Sequence, residues 1–162
     1  MYESLLAASG DLPRVTIPAG ATIISEGDGL DRLLIMESGR VIVTREDVPV
    51  ATIDQPGALF GELSVLLSTP ATATVRAVDE CKFRECTDPH VFLRDRPGIA
   101  LAVATMLARR LDTLTRYLVD LKDQYGDRGD HLGVVDRVLD SLTHRQDARP
   151  DPGSDREQEA PY

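Results

Sequence analysis

The residues with the most chemistry in them lie between positions 57 and 77, GALFGELSVLLSTPATATVRA. Gly61 lets the backbone come close to a ligand, and Glu62 opens the short apolar helical turn after it. Amide N–H groups at a helix start, here about 61–64, have no partner within the helix and suit an anionic phosphate. A carboxylate beside a phosphate is electrostatically out of place. Glu62 is suited instead to a sugar hydroxyl, which donates to it. Thr69-Pro70 then breaks the run before a β-rich segment, 72–77.

Taken together, Phe60-Gly61-Glu62, a short helix, and Thr69-Pro70-Ala71-Thr72-Ala73-Thr74-Val75 resemble the phosphate-binding cassette of the cyclic nucleotide-binding domain. The resemblance implies roles by position. Glu62 accepts from the ribose 2′-hydroxyl, the amides of Gly61, Leu63 and Ser64 face the exocyclic phosphate oxygens, and the Thr72 hydroxyl meets phosphate or a guanine edge. Phe60 and Ala73 complete the cassette, and Leu114 and Thr115 on the long helix fall where relatives of the catabolite activator cap the base. The family's arginine, which pairs with the cyclic phosphate, is replaced here by Ala71. A hydrogen bond to a charged group contributes about 1.5–3 kcal/mol, and a buried charge left unpaired costs about 3–5. Affinity is expected to fall roughly ten- to several-thousand-fold below that of an arginine-bearing sibling. Arg76, five residues along the strand from Ala71, points to the opposite face and does not substitute. Arg84, Arg109, Arg110 and Arg116 are the other basic candidates.

Other chemistries find little support. No Walker, HExxH or GxSxG pattern occurs, and Ser64 has no histidine at useful spacing, so no catalytic residues and no enzyme are expected. Cys81 and Cys86 are too far apart for a Cys-x-x-Cys site and read as one strand-core thiol and one loop thiol. His90, His131 and His144 read as surface residues, which leaves no metal site and no haem or cluster. The net charge of −9, of which a tail with five acids and two arginines carries −3, argues against direct nucleic-acid binding. With no membrane-length apolar run and no signal pattern, cytoplasmic residence and no membrane partner are expected.

The elements that position the cassette are short. Apolar runs near 15–17, 22–24, 33–36, 40–44, 50–53 and 82–84 are bounded by Gly or Pro turns, which argues for an all-β barrel or sandwich. Gly27, Gly39 and Gly57 resemble the turn glycines of the cyclic nucleotide-binding β-roll. The expected class is α+β, mainly β: an antiparallel β-roll or jelly-roll barrel, flanking helices, and a long C-terminal dimerisation helix. Its domain spans 1–126, with the β-roll at about 12–86 and helices at about 88–125. An amphipathic helix at 127–145 and a disordered acidic tail at 146–162 come after it. Asp88-Pro89 and Arg96-Pro97 mark helix starts, and a short N-terminal helix carries Leu5 and Leu6.

Leu107, Leu111, Leu114, Leu118, Leu121 and Tyr125 continue the 4,3 spacing of Ala100 and Ala104. That heptad seam predicts a parallel homodimer. The resulting reading is a stand-alone regulatory sensor that binds cyclic AMP, cyclic GMP or a related small ligand weakly, needs no cofactor, and signals through a protein partner that the sequence does not name. Two alternatives stand beside it: a degenerate module that binds no nucleotide and serves dimerisation or protein interaction, and a DNA-binding regulator. The second is disfavoured by charge and by the short stretch after Gly126, too small for a winged helix-turn-helix.

Overall fold

The computed structural model describes residues 2–125 and 132–144. Two compact units divide it, Met1–Met106 and Leu107–Tyr162. The expected disordered tail, 146–162, lies outside the described residues.

The first unit holds two antiparallel four-stranded sheets. One is ordered β1 (Arg14–Ile17), β8 (Cys81–Cys86), β3 (Leu33–Ser38), β6 (Leu59–Phe60). The other is ordered β2 (Thr22–Ile24), β7 (Thr74–Ala77), β4 (Val41–Arg45), β5 (Val48–Ile53). Around them lie α1 (Tyr2–Ala8), α2 (Glu62–Leu67) and α3 (Pro89–Asp95), while α4 (Pro97–Tyr125) runs from the first unit into the second. This is the mainly β architecture with flanking helices and a long helix that the sequence predicts.

The core lies between the sheets, where Leu34, Met36, Val41, Phe60, Ala71, Val75 and Phe83 form one buried cluster. Phe60 and Phe83 meet edge to face, centroids 6.0 Å apart. The four-residue apolar run of β3 reflects its position in the sheet. Leu34 and Met36 face the inter-sheet core, so period-two alternation puts Leu33 and Ile35 on the other face, which is also buried. There α1 packs on β3 through its buried Leu5. β5 is an edge strand, and Pro49, which has no N–H to donate, flanks the exposed Val48 and Val50.

Turns close the strands as the chemistry requires. Gly27 and Gly39 have φ of +86° and +105°, and a β-carbon on Gly39 would lie 2.7 Å from Cys81. The β4–β5 hairpin turns on Glu46 and Asp47, both left-handed at φ 50° and 62°, the geometry of a two-residue type I′ turn built without glycine. Cys86, read as a loop thiol, is buried at the end of β8, where it pairs with Leu33. Burial pushes both thiols up from their ordinary range.

Ion pairs tie three neighbouring strands of the first sheet, β1, β8 and β3, together. Arg84 Nε donates to Glu37 Oε1 at 2.6 Å, and Arg14 Nε lies 3.1 Å from the other oxygen of that carboxylate. Burial raises the Glu37 pKa, but its two arginines outweigh that and hold it below its ordinary value. Asp88 caps α3 by accepting from the Val91 amide at 3.2 Å, as predicted.

In the second unit, α4 continues to Tyr125, and α5 (Leu132–His144) comes next, within the 127–145 stretch expected as a helix, of which 127–131 and 145 lie outside the described residues. Lys122 pairs with Asp136 between these helices. Leu111 and Leu114 are exposed, Leu114 at 49%, whereas Leu107, Leu118 and Leu121 are half-buried. The side chain of Tyr125 lies outside the described residues. Among those residues no helix is long and apolar enough to cross a membrane.

Candidate ligand site

The cassette is built at the point where β6 hands over to α2. Gly61 caps α2 in the left-handed region, φ 89° and ψ −3°, without a side-chain cap. A β-carbon there would fall 2.5 Å from the Arg32 carbonyl oxygen and 2.9 Å from Leu30 Cδ2. Glycine is therefore required twice, by backbone conformation and by the loop packed against it. The next three residues enter the first turn of α2, whose amides have no partner within the helix.

Glu62 is 5% exposed, and Ser64 is equally buried. A carboxylate so enclosed belongs among hydrogen-bond donors, and the first-turn amides of α2 favour negative charge there. Leu63, Leu66 and Leu67 face outward, so the predicted part of Leu63 in binding rests with its amide. The helix ends at Ser68, also left-handed at φ 52°, whose amide donates to the Ser64 carbonyl, and the Thr69 amide reaches the same oxygen at 3.2 Å. The buried Thr69 hydroxyl has no hydrogen-bond partner among the described residues.

Ala71 is 5% exposed and belongs to the inter-sheet core. Its amide donates to the Asp28 carbonyl and its carbonyl accepts from the Gly27 amide, both at 2.8 Å. Thr72 and Ala73 are half-exposed beside it, and Phe60 is buried ahead of Gly61. The β2–β3 loop thus braces both halves of the cassette, residues 27–28 at Ala71 and residues 30–32 at Gly61. Sequence reasoning missed this loop and Thr69. Glu26-Gly27-Asp28 announces a turn, and nothing local announces what it touches.

The same loop lines a recess of about 410 Å³ with Ile23, Glu85 and Thr87. Arg32 spans it, Nη1 to Glu85 Oε1 at 2.5 Å and Nη2 to the Ile23 carbonyl at 3.4 Å. Of the sequence's candidate substitutes for the missing arginine, Arg84 and Arg116 are likewise engaged, and Arg109 and Arg110 are exposed on α4. Arg84 binds Glu37 and the carbonyls of Gly10 and Leu12, Arg116 pairs with Asp112, and Arg76 is exposed between buried Val75 and Ala77. Leu114 and Thr115 lie on α4 in the second unit, where the Thr115 hydroxyl donates to the Leu111 carbonyl at 2.9 Å.

Gly61→Ala tests the fit. Left-handed strain costs about 1–2 kcal/mol and the collision with Arg32 adds to it, so a loss of about 2–4 kcal/mol is expected in a urea melt. A loss below about 0.5 kcal/mol would show that the loop and Gly61 are not packed together.

Comparison with known proteins agrees with this geometry. The family model described as the cyclic nucleotide-binding domain matches residues 14–87. The chain is 32% identical over 125 residues to the CRP-like cAMP-activated global transcriptional regulator of Mycobacterium tuberculosis, covering 74% of this chain and 56% of that protein. It is 32% identical to the solved N-terminal domain of a transcriptional regulator from Streptomyces coelicolor, over 71% of this chain and 82% of that one, with a TM-score of 0.51. The catabolite activator protein of Thermus thermophilus superposes with a TM-score of 0.63 at 28% identity, over 74% of this chain and 58% of that one. This chain thus spans little more than half of the mycobacterial regulator. On these matches and on the cassette geometry, the chain belongs to the cyclic nucleotide-binding domain family.

Proposed function

We propose that this chain is a non-enzymatic regulatory sensor domain whose cassette takes cyclic AMP, cyclic GMP or a closely related ligand with reduced affinity. The observation that carries the reading is Glu62, held 5% exposed directly after a left-handed Gly61, so that the sugar-hydroxyl acceptor is retained at the α2 start. The amides of Gly61, Leu63 and Ser64 then serve the phosphate, and Thr72 adds a hydroxyl. No cofactor is needed. The reduced affinity is traced to Ala71, which offers an alkyl surface where the family places a guanidinium.

Output in this reading passes through a homodimer formed by Leu107, Leu111, Leu114, Leu118, Leu121 and Tyr125, and through a protein partner, within the cytoplasm. A net charge of −9 supports a protein partner over nucleic acid. Ligand binding would reposition the segment from Asp88 to Leu93 against α4. A second reading, a ligand-free dimerisation or interaction module, is favoured by one observation: Ala71 is absorbed into the apolar core. Titration of the wild-type protein with cyclic AMP and cyclic GMP separates the two. Saturable binding at the cassette supports the sensor, and silence at millimolar nucleotide supports the module.

A further inference from the structure

The N-terminal segment touches both the turn that precedes the cassette and the corner from which the long helix starts. At one end of α1 the Tyr2 backbone lies against Gly57, where an added β-carbon would fall 2.2 Å from the Tyr2 oxygen and 2.6 Å from its carbonyl carbon. Gly57, at φ +86°, lies in the Gln55–Ala58 turn that leads into β6 and so into Gly61. In the middle, Leu5 is buried where α1 packs on β3. At the far end Ser9 is fully buried, and its hydroxyl donates to the Leu6 carbonyl at 2.8 Å.

Arg96 takes hold of the segment there. It ends α3 and immediately precedes Pro97, and its carbonyl accepts from the Ile99 and Ala100 amides at 2.9 and 3.1 Å, which starts α4. Its Nη1 donates to the Ala8 carbonyl at 2.6 Å and to Asp11 Oδ1 at 3.1 Å, while Nη2 donates to Asp11 Oδ2 at 2.5 Å. The guanidinium also lies 4.5 Å from the centre of the Phe92 ring, on α3 itself. Arg84 pins the stretch beyond α1, with Nη1 on the carbonyls of Gly10 at 3.0 Å and Leu12 at 2.9 Å.

We propose that residues 2–12 act as a tie between the Gly57 turn and the α3–α4 corner, so that displacing one displaces the other. The contact at Gly57 is backbone against backbone with no side chain to yield, and the Arg96–Asp11 fork is directional as well as attractive. Between them α1 is one stiff helix of about 10 Å, seated on a packed core that resists continuous deformation. Arg96 is a positioning residue here. An ion pair this exposed contributes little to stability, so its effect is on where the corner sits. The functional meaning, regulation of the cassette, rests on the reading above. The coupling itself is measurable with no ligand present.

Amide hydrogen exchange on the wild type, Gly57→Ala, Arg96→Ala and the double variant tests it. Gly57→Ala pushes on the start of α1 and is expected to speed exchange of the Ile99 and Ala100 amides about tenfold. With Arg96→Ala already in place, which removes the bonds to both Ala8 and Asp11, the same substitution should change those amides by less than about twofold. Should Gly57→Ala unfold the protein, Leu5→Ala supplies the disturbance and is judged by the same two numbers. The tie is overturned if the Ile99 and Ala100 amides keep their wild-type rates while exchange near residue 57 accelerates. An acceleration of equal size with and without the Arg96 side chain overturns it as well. Neither result bears on nucleotide binding, and a failed nucleotide titration leaves the tie standing.

Discussion

Ala71→Arg should raise the affinity for cyclic AMP by roughly ten- to several-thousand-fold, the range spanned by restoring a charge-assisted hydrogen bond and pairing a buried charge. The structure makes this a restricted change. The backbone of residue 71 is fixed by its bonds to Gly27 and Asp28, so the substitution alters the side chain on a held frame. Ala71 is also buried among apolar neighbours, and an arginine stem there must leave the core, which costs stability. Ala71→Gln carries most of that cost without a charge, so it should melt early and gain no affinity. Ala71→Lys should gain less than arginine, because an ammonium is a point charge and lacks the planar fork. Equal affinities for wild type and Ala71→Arg by calorimetry would mean that the phosphate does not sit at residue 71.

The second large effect is on assembly. Replacing Leu114 and Leu118 together with glutamate should convert a homodimer into a monomer at tens of micromolar. Each leucine buried in a seam contributes about 1.5–3 kcal/mol, and a two-fold seam would lose four of them while gaining like charges. Leu111, Leu114 and Tyr117 are exposed on the described α4, a helix segment carrying more apolar surface than an isolated solvated face needs. Light scattering reads the outcome. A wild-type protein that is monomeric at tens of micromolar contradicts the proposed seam.

Much of the fold was legible because its signals are local. Pro97 at a helix start and Gly126 after its end bracket α4, and the structure places that helix at Pro97–Tyr125. Asp88-Pro89 announced α3 by the same kind of cue, since a cap and a proline act on adjacent backbone. Gly27, Gly39 and Gly57 announced turns and all have positive φ. What escaped depends on distant partners. β6 is two residues long and is a strand only because Leu59 and Phe60 pair with Ile35 and Leu34. The Glu46-Asp47 turn adopts left-handed backbone without the glycine or asparagine that would have flagged it.

The cassette divides along the same line. Phe60-Gly61-Glu62 could be read from the sequence, but the reason for Gly61 could not, because Arg32 and Leu30 meet it from another loop. The loss of the arginine was visible as a letter. Its structural consequence, Ala71 drawn into the core and tied to residues 27 and 28, required the fold.

Occupancy of the cassette by a nucleotide, in the unaltered protein, separates a sensor from a ligand-free module. Residue-resolved NMR titration of wild type with cyclic AMP and with cyclic GMP, each to millimolar concentration, addresses this directly. The predicted result is a saturable shift of the Gly61, Leu63, Ser64 and Thr72 amides, weaker than in Ala71→Arg and lost in Glu62→Gln, which keeps its shape and gives up the carboxylate. Unmoved cassette amides at millimolar nucleotide, in a protein whose Ala71→Arg variant does respond, would contradict it.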